Sequence, residues 1–562
     1  MAHPAPVSNH PLYRLRAEFL TNDERVALAY QRAKLMLDTY KLNAEDILHC
    51  TPKYWAMQSD PAMPLDIACF TIISSCPDLQ PLLHRLLAFE AVGLYLLSER
   101  GHGLDGFNIE TTATKTDTGF ILNTPREEAA KMMPATTPLF RIPKVALVMA
   151  RLIVDGTDRG ACFFIVPICD SKQMFRGVTS TRLPPRSGTA PLDFAITNFH
   201  NIQLPPSALL GTSLAAPKDP LSAWWEEVWR IPIGSGAVAA PLVQAIKHAA
   251  YIGGRYSLVR HITGKDSAAV PIITFRTQQW PVLQAIAVAM VLDTWYPQII
   301  QQTVDMSTEP QVRHGLSVVV KTTVCRQFMT CIRDIAERCG AQGTFDHNFL
   351  ARIEADARGI IVAEGDVVTL CIRLLGELLL GRYTLPPPAL AKSLLARHAS
   401  SVFEHNADLL RTLPGGRVPI QALGHAYAYA AAARAGIPQP LLDLYECVAI
   451  RADPAWYSEC AGLDSSAQRA REARAVTCAL AHLQEYLDAL DIKEHVTAPI
   501  VEDHVWKAWL AKAPTYHGTA DPESLGSDGA PSKVSARLLW GFLIMMMLNE
   551  MYDTRTTLDL DL

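Results

Sequence analysis

Residues 98–125 read SERGHGLDGFNIETTATKTDTGFILNTP, and this stretch decides the fold. Its second half is dense in Thr and alternates polar with apolar residues around the turn sequence Asp117-Thr118-Gly119. A period of two residues and a Gly-containing turn are typical of a β-hairpin. The first half places Gly101, Gly103 and Gly106 in one loop. Such a loop lets the backbone and its N–H groups approach a ligand closely.

Further strands are expected downstream of the hairpin. Val145 to Val154 and Gly160 to Ile168 are apolar runs joined by Asp155-Gly156, and Phe194 to Ile202 is another such run. Short β-rich runs separated by turn residues are typical of neighbouring strands in one sheet. These runs and the hairpin predict a compact, mainly antiparallel β unit over residues 99–210.

Helical patterns lie on both sides of this unit. Leu20 to Leu42 has apolar residues at helical spacing, with Thr21, Asn22 or Asp23 as the expected cap. Short helices are expected to continue through Phe89–Ser98. Helical periodicity resumes at Trp224 and lasts to about Arg382, with examples at Val238–Arg260 and Val282–Thr303.

After a Pro-rich break at 386–388, residues 389–550 again favour helix, including an Ala-rich segment at Gln421–Ala435. We therefore predict an α+β, mostly α fold with a central antiparallel β domain. The expected domains are an N-terminal helical domain (1–97), the β domain (98–212), a helical bundle (220–385) and an additional C-terminal helical domain (389–562).

Composition narrows the classes of function. The chain has 562 residues, so we expect two to four packed units. A formal net charge of -5 argues against a protein built to bind nucleic acid, which needs basic surface to neutralise phosphates. The twelve cysteines form no CxxC pair or cluster with His, so we predict reduced thiols and no metal site.

The apolar run Leu538–Leu548 is too short to span a bilayer, which takes about 20 residues, so we predict no membrane segment. A buried helix or a subunit contact is the expected role of this run. The first residues show no secretory pattern, and the chain ends in Asp561-Leu562 rather than a Ser-Lys-Leu type tail. We expect a cytoplasmic or peroxisomal location.

Several motifs occur in an order that resembles the acyl-CoA oxidase family, a branch of the acyl-CoA dehydrogenase/oxidase superfamily. The resemblance covers residues ~12 to 385, beyond which the chain is similar to the family only in being helical. The matching segments are Ser98-Glu99-Arg100-Gly101-His102-Gly103, Glu110-Thr111-Thr112-Ala113-Thr114, Phe120-Ile121-Leu122-Asn123-Thr124-Pro125, Phe164-Ile165-Val166-Pro167-Ile168, Arg255-Tyr256-Ser257-Leu258-Val259-Arg260-His261, Cys339-Gly340-Ala341-Gln342-Gly343 and Glu364-Gly365-Asp366.

The resemblance implies that FAD is the cofactor and that the β domain binds its flavin. Ser98 then occupies the position whose hydroxyl bonds the isoalloxazine, with Gly101 and Gly103 in the same loop. Met133 and Ala135 stand where the family has Trp and Gly in a Lys-Trp-Trp-Pro-Gly segment. Because Met is smaller and softer than Trp, the pocket over the flavin is expected to be reshaped.

The resemblance also implies residues in the bundle that bind the dinucleotide. Arg260 would contact the FAD pyrophosphate, either within one chain or across a subunit boundary of a homodimer, and Arg276 would serve the same phosphate. Gly340, Ala341 and Gly343 would pass close to the dinucleotide, with Ala341 in place of a family Gly. Further along the chain, Asp366 stands where the family has Glu and is expected beside the cofactor.

Glu364 is the expected catalytic base. It ends the apolar run Gly359–Ala363, and burial of a lone carboxylate raises its basicity. A base of this kind can remove the weakly acidic proton next to a thioester carbonyl. By resemblance, Glu364 takes the α-proton while the β-hydrogen leaves as hydride to the flavin.

The expected function is therefore an FAD-dependent oxidase that converts an acyl thioester, on CoA or another carrier, to the 2-enoyl product and reduces O2 to H2O2. Two alternatives stay open: a dehydrogenase that passes electrons to a carrier flavoprotein, and a non-catalytic relative that binds an acyl group or partner. The departures at Met133, Ala135, Ala341 and Asp366 favour the non-catalytic alternative, whereas the retained Glu364 and Arg260 count against it. The altered flavin pocket and the missing peroxisomal tail indicate a specialised biosynthetic pathway.

Overall fold

The computed structural model describes residues 6–519, except 44, 47, 48, 50, 58–76, 189, 212, 265, 266 and 410–416. The chain forms two compact units, Met1–Lys507 and Ala508–Leu562, and the architecture below is that of the first. The apolar run Leu538–Leu548 lies outside the described residues.

Helices make up most of the described chain and fall into three groups along it. Before the sheet lie α1 (Pro11–Arg14), α2 (Asn22–Tyr40), α3 (Pro52–Met57) and α4 (Gln80–Leu87). After it come α5 (Pro220–Glu227), α6 (Ile231–Ala237), α7 (Ala240–Val259), α8 (Arg276–Val304), α9 (Pro310–Arg338), α10 (Leu350–Val362) and α11 (Val367–Leu379). The last group is α12 (Leu394–Leu409), α13 (Arg417–Arg434), α14 (Gln439–Ala452), α15 (Pro454–Glu459), α16 (Ser465–Leu480), α17 (Leu483–Ala489) and α18 (Asp503–Leu510).

The strands lie in the middle of the chain, apart from one small hairpin. They are β1 (Val92–Leu96), β2 (Thr112–Thr116), β3 (Gly119–Asn123), β4 (Lys131–Met132), β5 (Lys144–Val154), β6 (Thr157–Cys169), β7 (Val178–Arg182), β8 (Ala195–Phe199), β9 (Ile202–Leu204), β10 (His261–Thr263) and β11 (Ala269–Pro271). One sheet has the order β1-β5-β2-β3-β9, with β6 paired to β5. A second sheet has the order β4-β8-β7.

The predicted hairpin is confirmed, since β2 pairs antiparallel with β3 and Thr116 faces Gly119 across the turn. The helix predicted over Phe89–Ser98 is wrong, because Val92–Leu96 is strand β1. β1 pairs parallel with β5, as does β2, so the sheet is mixed rather than wholly antiparallel. A strand buried on both faces is a continuous apolar run, which explains why its sequence pattern fits a helix equally well.

The bundle is built around α7, α8 and α9. α8 is buried along nearly its whole length, and it contacts both neighbours and the C-terminal helices α13 and α14. By length and composition α8 could cross a membrane, but in this fold it is the central helix of a protein core. The predicted helices at 238–260, 282–303 and 421–435 are confirmed with shifted ends, whereas the four domain boundaries stay predictions.

The N-terminal helix α2 shows how local sequence sets an element. Thr21 is the cap, and its hydroxyl accepts from the Glu24 N–H while the Glu24 carboxylate accepts from the Thr21 N–H. This reciprocal capping box satisfies two backbone donors that the first helical turn leaves unpaired. Of the three candidate caps, the structure therefore selects Thr21.

Candidate active site

Glu364 lies in the turn between α10 and α11. Its backbone is left-handed, with φ of 53°, and Gly365 follows with φ of 91°. A non-Gly residue in this region is uncommon and persists only where its surroundings hold it. Two residues on, Asp366 caps α11 by accepting from the N–H groups of Val368 and Thr369, both at 3.0 Å.

Side chains from two other helices bind the backbone of this turn. The Lys321 ammonium on α9 donates to the carbonyls of Ala363 and Gly365, the latter at 2.6 Å. Ser235 on α6 donates its hydroxyl to the Glu364 carbonyl at 2.6 Å. Three consecutive carbonyls that no helix could satisfy therefore have side-chain donors.

The Glu364 side chain lies against a helix surface that lacks a side chain. A Cβ added to Gly234 of α6 would come within 2.9 Å of Glu364 Oε2, closer than real Cβ contacts allow. Burial raises the pKa of the Glu364 carboxyl, and the nearby Lys321 ammonium opposes that rise. The result is a desolvated carboxylate with one cation nearby, which is the expected setting of a general base.

The loop at 98–106 is joined to the strand segment at 131–135 by a buried ion pair. Lys131 Nζ lies 3.0 Å from Glu99 Oε1, and both side chains are fully buried. The Glu99 carboxylate also accepts from the N–H groups of Glu110 and Thr111, at 2.7 and 2.9 Å. Ser98 is held beside this segment, since its carbonyl accepts from the Met132 N–H at 3.0 Å.

Gly101 is the loop glycine whose position forbids a side chain. An added Cβ would lie 2.8 Å from the Cβ of Glu128, whose carbonyl accepts from the Gly101 N–H at 2.7 Å. Gly103 has open space on the side where a Cβ would stand. The two glycines predicted to bind the cofactor therefore differ, because Gly101 is required for packing and Gly103 faces open space.

Met133 and Ala135 follow β4, and Ala135 is buried. The Arg186 guanidinium approaches the Met133 sulfur, with Nη1 at 3.6 Å from Sδ, and its Cζ lies 3.9 Å from the Phe194 ring centre. Its Nε is buried and has no hydrogen-bond partner within the described chain. The loop that carries Arg186 also reaches α10, because a Cβ on Gly188 would contact that helix.

The remaining predicted residues meet at one end of the bundle. Gln278 of α8 donates to Ser257 Oγ on α7 at 2.8 Å and to the Arg338 carbonyl on α9 at 3.1 Å. This contact joins the ends of three helices, so Arg260, which follows α7, lies at the same end as the turn after α9. That turn contains the predicted residues Gly340, Ala341 and Gly343.

Each residue of this cluster has its own setting. Gly343 packs so closely that a Cβ would lie 2.2 Å from the Ala336 carbonyl oxygen, whereas Gly340 and Ala341 are exposed. The Arg260 side chain is exposed and bonds Tyr256. The Arg276 guanidinium is bound to α16 through the Ala473 carbonyl and the Thr477 hydroxyl, at 3.1 and 3.0 Å.

Sequence reasoning missed four residues at the site: Lys321, Ser235, Gly234 and Arg186. No local signal marks them, since 44 residues separate Lys321 from Gly365 and 129 separate Ser235 from Glu364. Asp366 was predicted beside the cofactor. In the structure its Oδ1 accepts from the N–H groups at the start of α11 and caps that helix. Across the described ranges, no group of three or more His, Cys, Asp or Glu side chains could hold a metal ion.

The chain is similar to known proteins in part of its sequence. Residues 237–379 match the family profile described as acyl-CoA oxidase, C-alpha1 domain. Acyl-coenzyme A oxidase acox-1.1 of Caenorhabditis elegans is 26% identical over 331 residues, 55% of this chain and 48% of the relative. Human peroxisomal acyl-coenzyme A oxidase 3 is 25% identical over 312 residues, 50% and 44% of the two chains. The alignments thus span about half the length of these relatives.

Solved structures share the fold across the chain. Acyl-CoA oxidase 3 from Yarrowia lipolytica superposes with a TM-score of 0.76 at 17% identity, covering 93% of this chain and 90% of that one. Acyl-CoA oxidase-2 of Caenorhabditis elegans, solved with FAD, ascaroside-CoA and ATP, gives 0.72 at 18% identity, covering 94% and 91%. The resemblance seen in the sequence is confirmed: residues 237–379 match the acyl-CoA oxidase profile, and the chain is similar to acyl-CoA oxidases in sequence and in fold.

Proposed function

We propose that this chain is an FAD-dependent oxidase that removes two hydrogens from an acyl thioester, gives the 2-enoyl thioester, and reduces O2 to H2O2. The observation that supports this most directly is Glu364, a carboxylate whose pKa is raised by burial, bound in a turn between two bundle helices. The relatives of this chain are acyl-CoA oxidases by name, which agrees with this chemistry.

In this reaction Glu364 takes the α-proton of the bound thioester. A raised pKa makes the carboxylate a stronger base, which suits removal of the weakly acidic α-proton. The Lys321 ammonium opposes the rise in the pKa of the Glu364 carboxyl, because a nearby cation favours the charged form. FAD, when bound, supplies the acceptor for the hydride from the β-carbon and passes the electron pair to O2.

The residues of the β domain fit a flavin. The Ser98 hydroxyl is exposed and has no hydrogen-bond partner among the described residues. The buried Nε of Arg186 likewise lacks a partner in the described chain. The isoalloxazine carries carbonyl acceptors and gathers negative charge when it is reduced, so a hydroxyl and a guanidinium with an unbonded Nε–H are suitable donors.

We also propose that two copies of the chain complete each cofactor site. Lys321, beside Glu364, lies seventeen residues before Arg338 on α9, which is about 25 Å along a helix. The ribityl chain between the isoalloxazine and the pyrophosphate is much shorter than that. Arg260, Arg276, Gly340, Ala341 and Gly343 are therefore assigned to the pyrophosphate of a second copy's cofactor in a homodimer.

Mixed dimers test this arrangement. Glu364→Gln and Arg260→Gln chains are inactive or weak alone, whereas their heterodimer is expected to regain activity. One of its sites combines the intact Glu364 of one chain with the intact Arg260 of the other. If Arg260 acts within its own chain, no site in the heterodimer is intact and activity stays at the level of the separate variants.

The acyl group is proposed to be a specialised one rather than an ordinary straight chain. Met133 replaces the Trp that the resemblance places against the flavin, and Arg186 contacts the Met133 sulfur. These two side chains alter the shape and polarity of the pocket over the cofactor. A panel of acyl thioesters, followed by mass spectrometry for the loss of two hydrogens, tests this proposal, which a preference for ordinary saturated acyl-CoAs would refute.

Purified protein tests the main proposal. We expect a yellow protein absorbing at ~450 nm, because bound flavin is the expected cofactor, and peroxide release in air on addition of substrate. Glu364→Gln should abolish desaturation while flavin stays bound, and Glu354→Gln on α10, whose carboxylate pairs with Arg358, is the matched control. Turnover only with an added electron carrier would identify a dehydrogenase, and a colourless protein would identify a non-catalytic relative.

Relatives of this chain include oxidases that are peroxisomal by name. We propose a peroxisomal or cytoplasmic location, and a fluorescent fusion imaged with a peroxisomal marker distinguishes the two.

A further inference from the structure

The turn that presents Glu364 has an unusual set of backbone contacts. The carbonyls of Ala363, Glu364 and Gly365 all accept hydrogen bonds from side chains on other helices, and two of these bonds come from Lys321. Local hydrogen bonds within α10 or α11 do not provide these contacts. Since the Glu364 backbone is left-handed, its conformation depends on such external support.

Lys321 is an unexpected residue for this task. Its side chain is fully buried in the middle of α9, where an ammonium is costly unless its donors are satisfied. Within the described chain its ammonium forms no salt bridge and bonds two neutral carbonyls. A purely packing role would be served as well by Met or Leu, so the lysine indicates a requirement for donors or for positive charge.

Charged and titratable groups surround this ammonium on several elements. Glu364 and Asp366 face it from the turn, Cys371 from α11 and Cys325 from α9 itself. Burial raises the pKa of Cys325 to about 12, so this thiol is neutral at physiological pH. Glu364 is therefore the carboxyl whose pKa Lys321 lowers, and the Asp366 carboxylate is bound at the start of α11.

Ser235 and Gly234 complete the support from α6. Ser235 bonds the Glu364 carbonyl, while the bare Gly234 backbone leaves room for the carboxylate beside it. Two adjacent residues of α6 therefore contact the backbone and the side chain of Glu364. This arrangement restricts Glu364 more tightly than a surface turn would.

We propose that Lys321 and Ser235 are positioning residues that hold the left-handed turn of Glu364 and fix its carboxylate against Gly234. The inference rests on the proposed role of Glu364 as the base. Lys321 acts in a second way through its charge, which favours the ionised carboxylate. Ser235 is neutral and acts through geometry alone.

The test compares Lys321→Met, Ser235→Ala and the control Lys247→Met in the full-length protein. Lys247 of α7 is a buried lysine in the same bundle, and its partner Asp293 keeps hydrogen bonds from Trp55 and Gln244 when the lysine is replaced. Two measurements are made: kcat and KM over a range of pH, and titration of the Glu364 carboxyl by infrared difference spectroscopy against Glu364→Gln without substrate.

We expect Lys321→Met to lower kcat by up to about 100-fold, the scale of a misplaced catalytic group, with KM little changed. The Glu364 titration and the acid limb of kcat should both move to higher pH, since the cation that opposes the effect of burial is gone. Ser235→Ala should lower kcat without moving either pH value. Lys247→Met should leave kcat and the titration as in the wild type.

Wild-type kcat and an unshifted titration in both Lys321→Met and Ser235→Ala would overturn the inference. If Lys321→Met does not fold, Ser235→Ala loses only one neutral bond and carries the test on kcat. The proposed function fails separately, if the wild type does not desaturate any thioester. In that case a shifted Glu364 titration in Lys321→Met still supports the role of Lys321.

Discussion

The buried pair of Lys131 and Glu99 gives a prediction whose size follows from the structure. Lys131→Met removes the ammonium that lies 3.0 Å from both the Glu99 carboxylate and the Leu97 carbonyl. Glu99 keeps its two backbone N–H donors but loses its only salt bridge within the described chain. Breaking a buried pair by removing one partner costs about 3–5 kcal/mol, and the retained N–H bonds favour the lower end.

The loss should be local, because these bonds join the loop at 98–106 to the start of the hairpin. A chain of this size need not unfold in one step, so hydrogen exchange is a better measure than a single melting curve. A destabilisation of about 3 kcal/mol corresponds to roughly 100-fold faster exchange in the peptides around Thr111 and Lys131. Mass spectrometry resolves these peptides directly.

A double variant separates the lost bond from the unpaired charge. Glu99→Gln with Lys131→Met removes the buried charge and keeps an amide oxygen for one of the two N–H donors, which bind different carboxylate oxygens in the wild type, so part of the protection should return. Lys144→Met breaks a second buried pair, that of Lys144 and Asp193 at 2.7 Å, and is the matched control. It should loosen the peptides around Asp193 and leave those around Thr111 protected. Less than about fivefold faster exchange in Lys131→Met would refute this reasoning, because a broken buried pair should cost more.

Three further predictions follow from single contacts. Gly234→Ala should lower kcat by up to about 100-fold through the contact with Glu364 Oε2, whereas Gly376→Ala on α11, where a Cβ meets nothing within 4 Å, should leave kcat unchanged in the same assay. The Glu110 carboxylate raises the pKa of His102. Wild type should therefore be more stable than His102→Gln below about pH 6.5, by under about 1 kcal/mol, and this gain should disappear as pH rises through the raised value, as measured by hydrogen exchange of peptides around His102. Asp366→Ala should destabilise α11 by about 1 kcal/mol through loss of the cap, while flavin absorbance is retained. Loss of flavin would instead support Asp366 as a cofactor ligand.

Much of the fold could be predicted because the decisive signals are local. The capping box at Thr21 and the hairpin around Gly119 depend on residues a few positions apart, and the structure confirms both. The prediction of a helix at β1 failed for a physical reason, because five apolar residues in a strand buried on both faces show no alternation. β7 (Val178–Arg182) was missed because it is short and rich in polar residues.

The candidate site was predicted only in part. Glu364 and its turn could be found from an apolar run that ends in one acid and Gly365. The groups that give this carboxylate its properties could not, because Lys321 and Ser235 reach it only through helix packing. Asp366 has a second role that was not predicted, although an acid followed by an apolar run is also the signature of a helix cap.

The motifs that resemble the oxidases combine two kinds of residue, and the structure separates them. The Glu99 carboxylate binds the Lys131 ammonium and the Thr111 N–H in the β domain, so the side chains of Glu99 and Lys131 maintain the protein's own conformation. Met133, in contrast, contacts Arg186 rather than this network, and it is one of the positions where the sequence departs from the pattern. A change at a position of the first kind would cost folding free energy in any member of the family. A change at Met133 breaks none of these bonds. Under the proposed function, we therefore expect the departures to affect acyl specificity before they affect stability.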